Sequence, residues 1–160
     1  VTSRRNPVSQ MFSRRAWRML SRAFPVVIRE PENLVARGGM LVGAHLAGSA
    51  IENSMLGATH ALANPVSAHF DVTHGIAIGV LLPHVVRYNS QAVDSLYANF
   101  AVDAGVSVNG QPAGYALADR LAALVRQAGS PATLAECGVA EAAIPQLARE
   151  AAQQWTGTFN

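Results

Sequence analysis

The sequence contains no lysine and only one cysteine, Cys137. A single thiol excludes an internal disulfide framework and a cysteine cage for zinc, and it fits a reducing compartment, so a cytoplasmic protein is expected. Charged residues are scarce at 14% and aromatic residues at 6%, while half of the chain is hydrophobic. That balance excludes a disordered polyelectrolyte. No run alternates apolar and polar residues with the period of a strand, no segment repeats, and no glycine-rich loop suits a phosphate. A nucleotide-binding βαβ unit is therefore not expected within these residues. The most apolar stretch, Leu34 to Ile51, is interrupted by Arg37 and His45, so a membrane span is not expected either.

All 12 basic side chains are arginine, and they are unevenly placed. Residues 1–37 hold eight of them against Glu30 and Glu32, whereas the remainder is net acidic. Arg14, Arg18 and Arg22 fall at four-residue intervals, as the solvated face of a helix does. No aromatic RNA-binding motif accompanies them, so no nucleic-acid partner is expected.

Helical periodicity dominates what remains. Val8, Met11, Phe12, Ala16, Met19, Leu20, Ala23 and Val27 form one stripe, and Glu30-Pro31-Glu32 reads as a break and restart. A second helix is predicted over about 31–61, with Gly39, Gly43 and Ala47 at four-residue intervals. Interior glycines cost roughly 1 kcal/mol each relative to alanine. Close approach of a neighbour would offset that cost, so this helix is expected to be central and tightly packed. Pro65 is expected to end the pattern, Val66–Thr73 to connect, and a third helix to run from His74 to Tyr88 with a kink or division at Pro83. Asn89-Ser90 is expected to restart a short helix. Pro112 precedes another, capped by Gly129, and Ile144, Leu147, Ala148, Ala151 and Trp155 mark the last. The predicted fold class is all-α, a single multi-helix domain over residues 1–160 that reads as cut at both ends.

Two histidines stand out. His60 is placed at the end of the long apolar helix and His74 at the start of the next. Neutral imidazole is a common ligand for iron and zinc, and two helix ends meeting at a loop can bring both rings to one cation. Asp71, in the connection, could complete a self-contained site. His45 is expected in a core or interface and His84 in packing at a helix start, while Cys137 is expected to be inert.

The segment around these histidines reads Ala47-Gly-Ser-Ala-Ile51-Glu-Asn53-Ser-Met-Leu56-Gly57-Ala-Thr-His60-Ala-Leu-Ala-Asn64. It is followed by His74-Gly75 and by Leu81-Leu-Pro83-His84-Val-Val-Arg-Tyr-Asn89. Over about 45 residues it resembles the iron-containing alcohol dehydrogenase family. The resemblance implies the helical C-terminal domain of the dehydroquinate-synthase-like fold, with the NAD(P)-binding N-terminal domain outside these residues. It also implies a homo-oligomer acting on a small alcohol or carbonyl compound, with hydride exchanged with NAD or NADP. The metal, Fe²⁺ or Zn²⁺, would have His60 and His74 as two of its ligands, and an Asp and a further His would precede this chain. Asn64 stands where the family often carries a second histidine, so a group that cannot titrate near neutrality replaces one that can. Ile51 stands at the family's Phe position, and Asn53 keeps the motif residue; both are expected at the substrate or cofactor pocket. Two readings compete with a dehydrogenase fragment: a stand-alone helical association module and a self-sufficient metallohydrolase. The latter lacks an obvious general base.

Overall fold

The structure, a computed structural model, describes residues 2–160 and is built from six α-helices with no strand among the described residues. Helix α1 spans Pro7–Arg29. Asn6 caps it by accepting from the Ser9 amide, the Ser9 hydroxyl accepts in return from the Asn6 amide, and Pro7 fills the first turn. Helix α2, Leu34–Glu52, is capped by Asn33, whose side chain accepts from the Ala36 amide at 3.0 Å.

The glycines of α2 do mark a close approach. A Cβ on Gly43 would lie 2.8 Å from Leu20 Cγ, and one on Gly39 would lie 3.2 Å from Ala23 Cβ, so α1 and α2 pack almost backbone to backbone. The expected central position is not observed. Helix α2 packs against α1 on one side, and its other face leaves Leu34, Val35 and Leu41 exposed at 78%, 88% and 74%. Small residues report a near neighbour on one face and say nothing about how many neighbours there are. By length and composition α2 is also apolar enough to cross a membrane, despite Arg37 and His45.

The predicted helix over 31–61 is in fact two. The chain leaves α2 at Glu52, turns through Met55 at a positive φ of 105°, and starts α3, Ala58–Phe70. Pro65 lies inside α3 rather than ending it. The true connection is short, with Asp71 in the left-handed conformation at φ 51°. Helix α4, His74–Ala104, likewise carries Pro83 inside it, so the expected division there and the restart at Asn89 are not seen. Its kink falls at Val93, where φ is −133° and ψ is 26°. Asp94 follows the kink directly. Its carboxylate accepts from the Ala113 and Gly114 amides at 3.0 and 2.8 Å, capping the start of α5, Ala113–Gln127, from a neighbouring helix. Helix α6, Ile144–Ala152, is followed by a short 3₁₀ segment, Trp155–Phe159, that packs on α3.

Two cores result. One joins α4 and α5 through Val86, Tyr97, Ala101 and Leu117, with Trp17 of α1 against it; the other joins α3, the start of α4 and α6 through Val66, Ala77, Val139 and Leu147. Helix α1 is tied to the far end of α4 by polar groups. Arg14 and Arg18 donate to Asp103 at 2.7–2.9 Å, and the Trp17 indole donates to the Phe100 carbonyl at 2.8 Å. Asp103 is 5% exposed, and the Arg14 guanidinium holds its carboxyl below the ordinary value against the opposing effect of burial, with Arg18 helping.

Candidate metal centre

His60 is the third residue of α3 and His74 the first of α4, so both imidazoles stand at helix N-termini; His60 had been expected at the end of a helix. The two rings lie 5.5 Å apart between centroids, tilted by 43°. Two imidazoles sharing one divalent cation through bonds of roughly 2.0–2.1 Å, at a near-tetrahedral angle, place their centroids roughly 5 Å apart. The observed separation fits that arrangement. The protonation state fits too. Burial, and secondarily the nearby His74, push the His60 pKa below its ordinary value and keep its nitrogen lone pair available. The positive end of a helix dipole disfavours an imidazolium in the same sense.

Donors beyond this pair do not converge. Among the described residues no group of three His, Cys, Asp or Glu side chains could hold a metal ion. Asp71, the candidate for a self-contained site, is exposed and does not complete one. His69 is exposed and pairs with Glu150 at 2.7 Å. His45 is exposed rather than in a core, and His84 is exposed in the middle of α4 rather than packed at a helix start. Burial, with Glu136 adding to it, raises the pKa of the Cys137 thiol, which makes it a poor nucleophile.

The other sequence-derived candidates are distributed around His60. Ile51 and His60 line the same open cavity of about 350 Å³, formed by α1, the end of α2, α3, α4 and α5. Asn53 does not line it. Its side chain donates to the Ser49 carbonyl at 2.8 Å, and its own carbonyl accepts from Asn6 at 2.6 Å, so it serves the junction between α1 and α2. Asn64 follows one turn after His60 on α3, half-buried, and its amide donates to Gln154 at 3.1 Å. Several wall residues carry no local signal in the sequence, because they come from separate helices: Trp17, Leu82, Tyr97, Phe100 and Leu117. Asn89 was legible only as the end of the Leu-Leu-Pro motif. It also reaches the cavity, where its amide pairs reciprocally with that of Asn160, both bonds 2.9 Å.

The domain is all-helical, and its two neighbouring imidazoles, of which His60 lines a largely apolar cavity, form a candidate metal centre. The sequence matches the C-terminal part of the Fe-containing alcohol dehydrogenase family over residues 1–160, and the chain belongs to that family. It is 36% identical over 149 residues to the 1,3-propanediol dehydrogenase of Klebsiella pneumoniae, which covers 91% of this chain and 38% of that protein. It is 37% identical over 115 residues to the lactaldehyde reductase of Escherichia coli K12, 70% of this chain and 30% of the relative. Among solved structures, a 1,3-propanediol oxidoreductase superposes with a TM-score of 0.94 at 31% identity, over 99% of this chain and 42% of that one. The chain thus spans well under half the length of these relatives, 38% of the first and 30% of the second. The helical fold is the one the resemblance implied, and its homologues are dehydrogenases that convert alcohols and aldehydes.

Proposed function

We propose that this chain is the metal-binding helical part of an NAD(P)-dependent dehydrogenase that interconverts an alcohol with an aldehyde or ketone. His60 and His74 are two ligands of its catalytic cation, Fe²⁺ or Zn²⁺. The observation that carries this reading is the ring pair 5.5 Å apart in a member of the Fe-containing alcohol dehydrogenase family. Since no third donor joins the pair among the described residues, the remaining ligands come from polypeptide outside this chain, as does most of the nicotinamide site. The isolated chain is accordingly inactive, and the active species is a homo-oligomer of the longer protein, cytoplasmic and independent of nucleic acid and membrane.

A divalent cation held there supplies Lewis acidity toward the alcohol or carbonyl oxygen. The chain's own residues do the rest. His60 stays neutral and so remains a ligand rather than a proton store. Ile51, Leu82 and Trp17 present carbon surface in the cavity that His60 lines. Asn64, one turn further along α3, offers an amide already oriented by Gln154. It can hydrogen-bond a substrate oxygen but cannot carry a proton near neutrality, so the proton leaves through another group or water.

The test is made on the longer protein. His60→Ala and His74→Ala should each lower bound metal and NAD(P)-linked alcohol oxidation together, by more than the ~10–100-fold typical of changes to outer-shell partners of a metal site. Full metal occupancy and activity in either variant contradicts the reading.

A further inference from the structure

Among the described residues, three side-chain polar atoms are buried without a hydrogen-bond partner: Ser67 Oγ, Arg87 Nε and Thr156 Oγ1. Arg87 is otherwise engaged, since its terminal nitrogen pairs with Asp119. The two hydroxyls differ from it because both belong beside Asn64. Ser67 is one turn beyond Asn64 on α3, so His60, Asn64 and Ser67 fall at i, i+4 and i+7 along one face of that helix. Thr156 comes two residues after Gln154, which accepts from the Asn64 amide at 3.1 Å. Gly157, next in the chain, lies so near α3 that a Cβ on it would be 3.3 Å from Ala61 Cβ. The neighbours of Thr156 on both sides therefore touch the turn of α3 that follows His60.

Thr156 is only 4% exposed. A buried hydroxyl without a partner costs free energy, and folded proteins keep few of them. Two beside one amide make the kind of setting that holds ordered water, each molecule of which takes about three hydrogen bonds. A hydroxyl also does what the Asn64 amide does not: it accepts a hydrogen bond at oxygen while donating its own hydrogen onward. Four residues past Ser67, the C-cap Asp71 is exposed, so this face of α3 leads from the imidazole pair to solvent.

We propose that the Ser67 and Thr156 hydroxyls hold a short row of water along α3, and that this row carries the alcohol proton from beside His60 to solvent. The inference rests on the dehydrogenase reading for the source of that proton. The O–H bond of the alcohol breaks and its bonding pair stays on the alcohol oxygen. Each hydroxyl or water in the row accepts one hydrogen and donates another, and one proton reaches bulk water. No group in the row changes charge or oxidation state, and the hydride goes to the nicotinamide. From His60 to Ser67 the helix rises about 10 Å, a span covered by about four hydrogen bonds of ~2.8 Å.

Two readouts need no turnover. A high-resolution crystal structure of the longer protein should show water within hydrogen-bonding distance of Ser67 Oγ and of Thr156 Oγ1, and Thr156→Val should lose the water at residue 156. In this chain, Thr156→Val and Ser67→Ala should leave the urea midpoint unchanged or lower it. Dry hydroxyls, or a midpoint raised by both substitutions as deletion of an unpaired buried hydroxyl would do, overturn the proposal. The third readout is single-turnover, NAD(P)-linked oxidation of 1-propanol or 1,3-propanediol by the longer protein. Thr156→Val and Ser67→Ala should each slow it about tenfold, below the ~10²–10⁴-fold of a directly positioned acid or base. KM should stay the same, the solvent deuterium isotope effect should grow, and Thr156→Ser should restore the native rate. Native rates and isotope effects in both variants overturn the proposal. Alcohol oxidation by a protein whose two hydroxyls are dry sinks this proposal alone. Ordered water in a protein that oxidises no alcohol sinks the dehydrogenase reading, and the proton-carrying role with it.

Discussion

Gly114→Ala should be among the most damaging single-methyl additions to this chain. Gly114 opens α5 directly under α4, and a Cβ there would lie 2.6 Å from both Ser90 Cβ and Ser90 Oγ, and 2.8 Å from Tyr97 Cδ2. Apolar atoms rest at about 3.5–4.0 Å, so the helices must separate by close to an ångström or their side chains must leave their rotamers. Overpacking of that kind costs about 1–3 kcal/mol. Moving α5 also stretches the bonds by which Asp94 accepts from Ala113 and Gly114, a cap contributing about 1 kcal/mol. Better helix propensity returns about 1 kcal/mol. The net prediction is a loss of about 1–3 kcal/mol, read as a lower midpoint at unchanged slope in urea denaturation. Gly48→Ala supplies the opposite sign. Nothing lies within 4 Å of its added Cβ in the middle of α2, so it should stabilise by about 0.5–1 kcal/mol. Gly114→Ala at or above native stability would refute the packing of α5 on α4 described here.

Asp103→Ala leaves Arg14 and Arg18 without their shared carboxylate. Both arginines are partly solvated, with side chains 38% and 42% exposed, so the expected loss is about 1–3 kcal/mol rather than the larger cost of a fully buried broken pair. The pH dependence has a definite sign. The folded carboxyl is held below its ordinary value, so its stabilisation is complete above the unfolded pKa of about 3.9 and is lost as pH falls through the folded value. Acid unfolding of the Ala variant should therefore lack that component. His74→Ala should raise the His60 pKa in an NMR titration without restoring it fully, because burial is the larger cause and the charge on His74 the smaller. A complete return to the ordinary value, or no change, would contradict that ordering.

The amphipathic stripe of α1, the start of α5 after Pro112 and the buried positions Leu147 and Ala151 of α6 were legible, because each is a surface helix with one buried face. Trp155, expected on the same helix, lies beyond it in the 3₁₀ segment and is exposed. What periodicity misread were the interruptions. Met55 and Leu56 continue the apolar pattern through a turn, so α2 and α3 looked like one helix. Pro65 and Pro83 both sit inside helices, where packing overrides the local cost of a missing amide. The break falls instead at Val93, beside Asp94, whose carboxylate reaches across to α5 in a long-range contact that no local pattern contains. At the site, the pairing of His60 with His74 was legible from their spacing and motif, although the helix end that carries His60 was not. Of the cavity wall only Ile51 and His60 were legible, from the motif; Trp17, Leu82 and Leu117 meet only through the packing of α1, α4 and α5.

Anaerobic titration of this chain with Fe²⁺ and with Zn²⁺, native against His60→Ala and His74→Ala, tests the central claim most directly. Two imidazoles 5.5 Å apart with no third donor beside them among the described residues should bind one equivalent weakly, and either substitution should abolish that binding. Tight binding by the native chain, or binding that survives both substitutions, would mean that the metal is held by other residues and that the His60–His74 pair is not the centre described here.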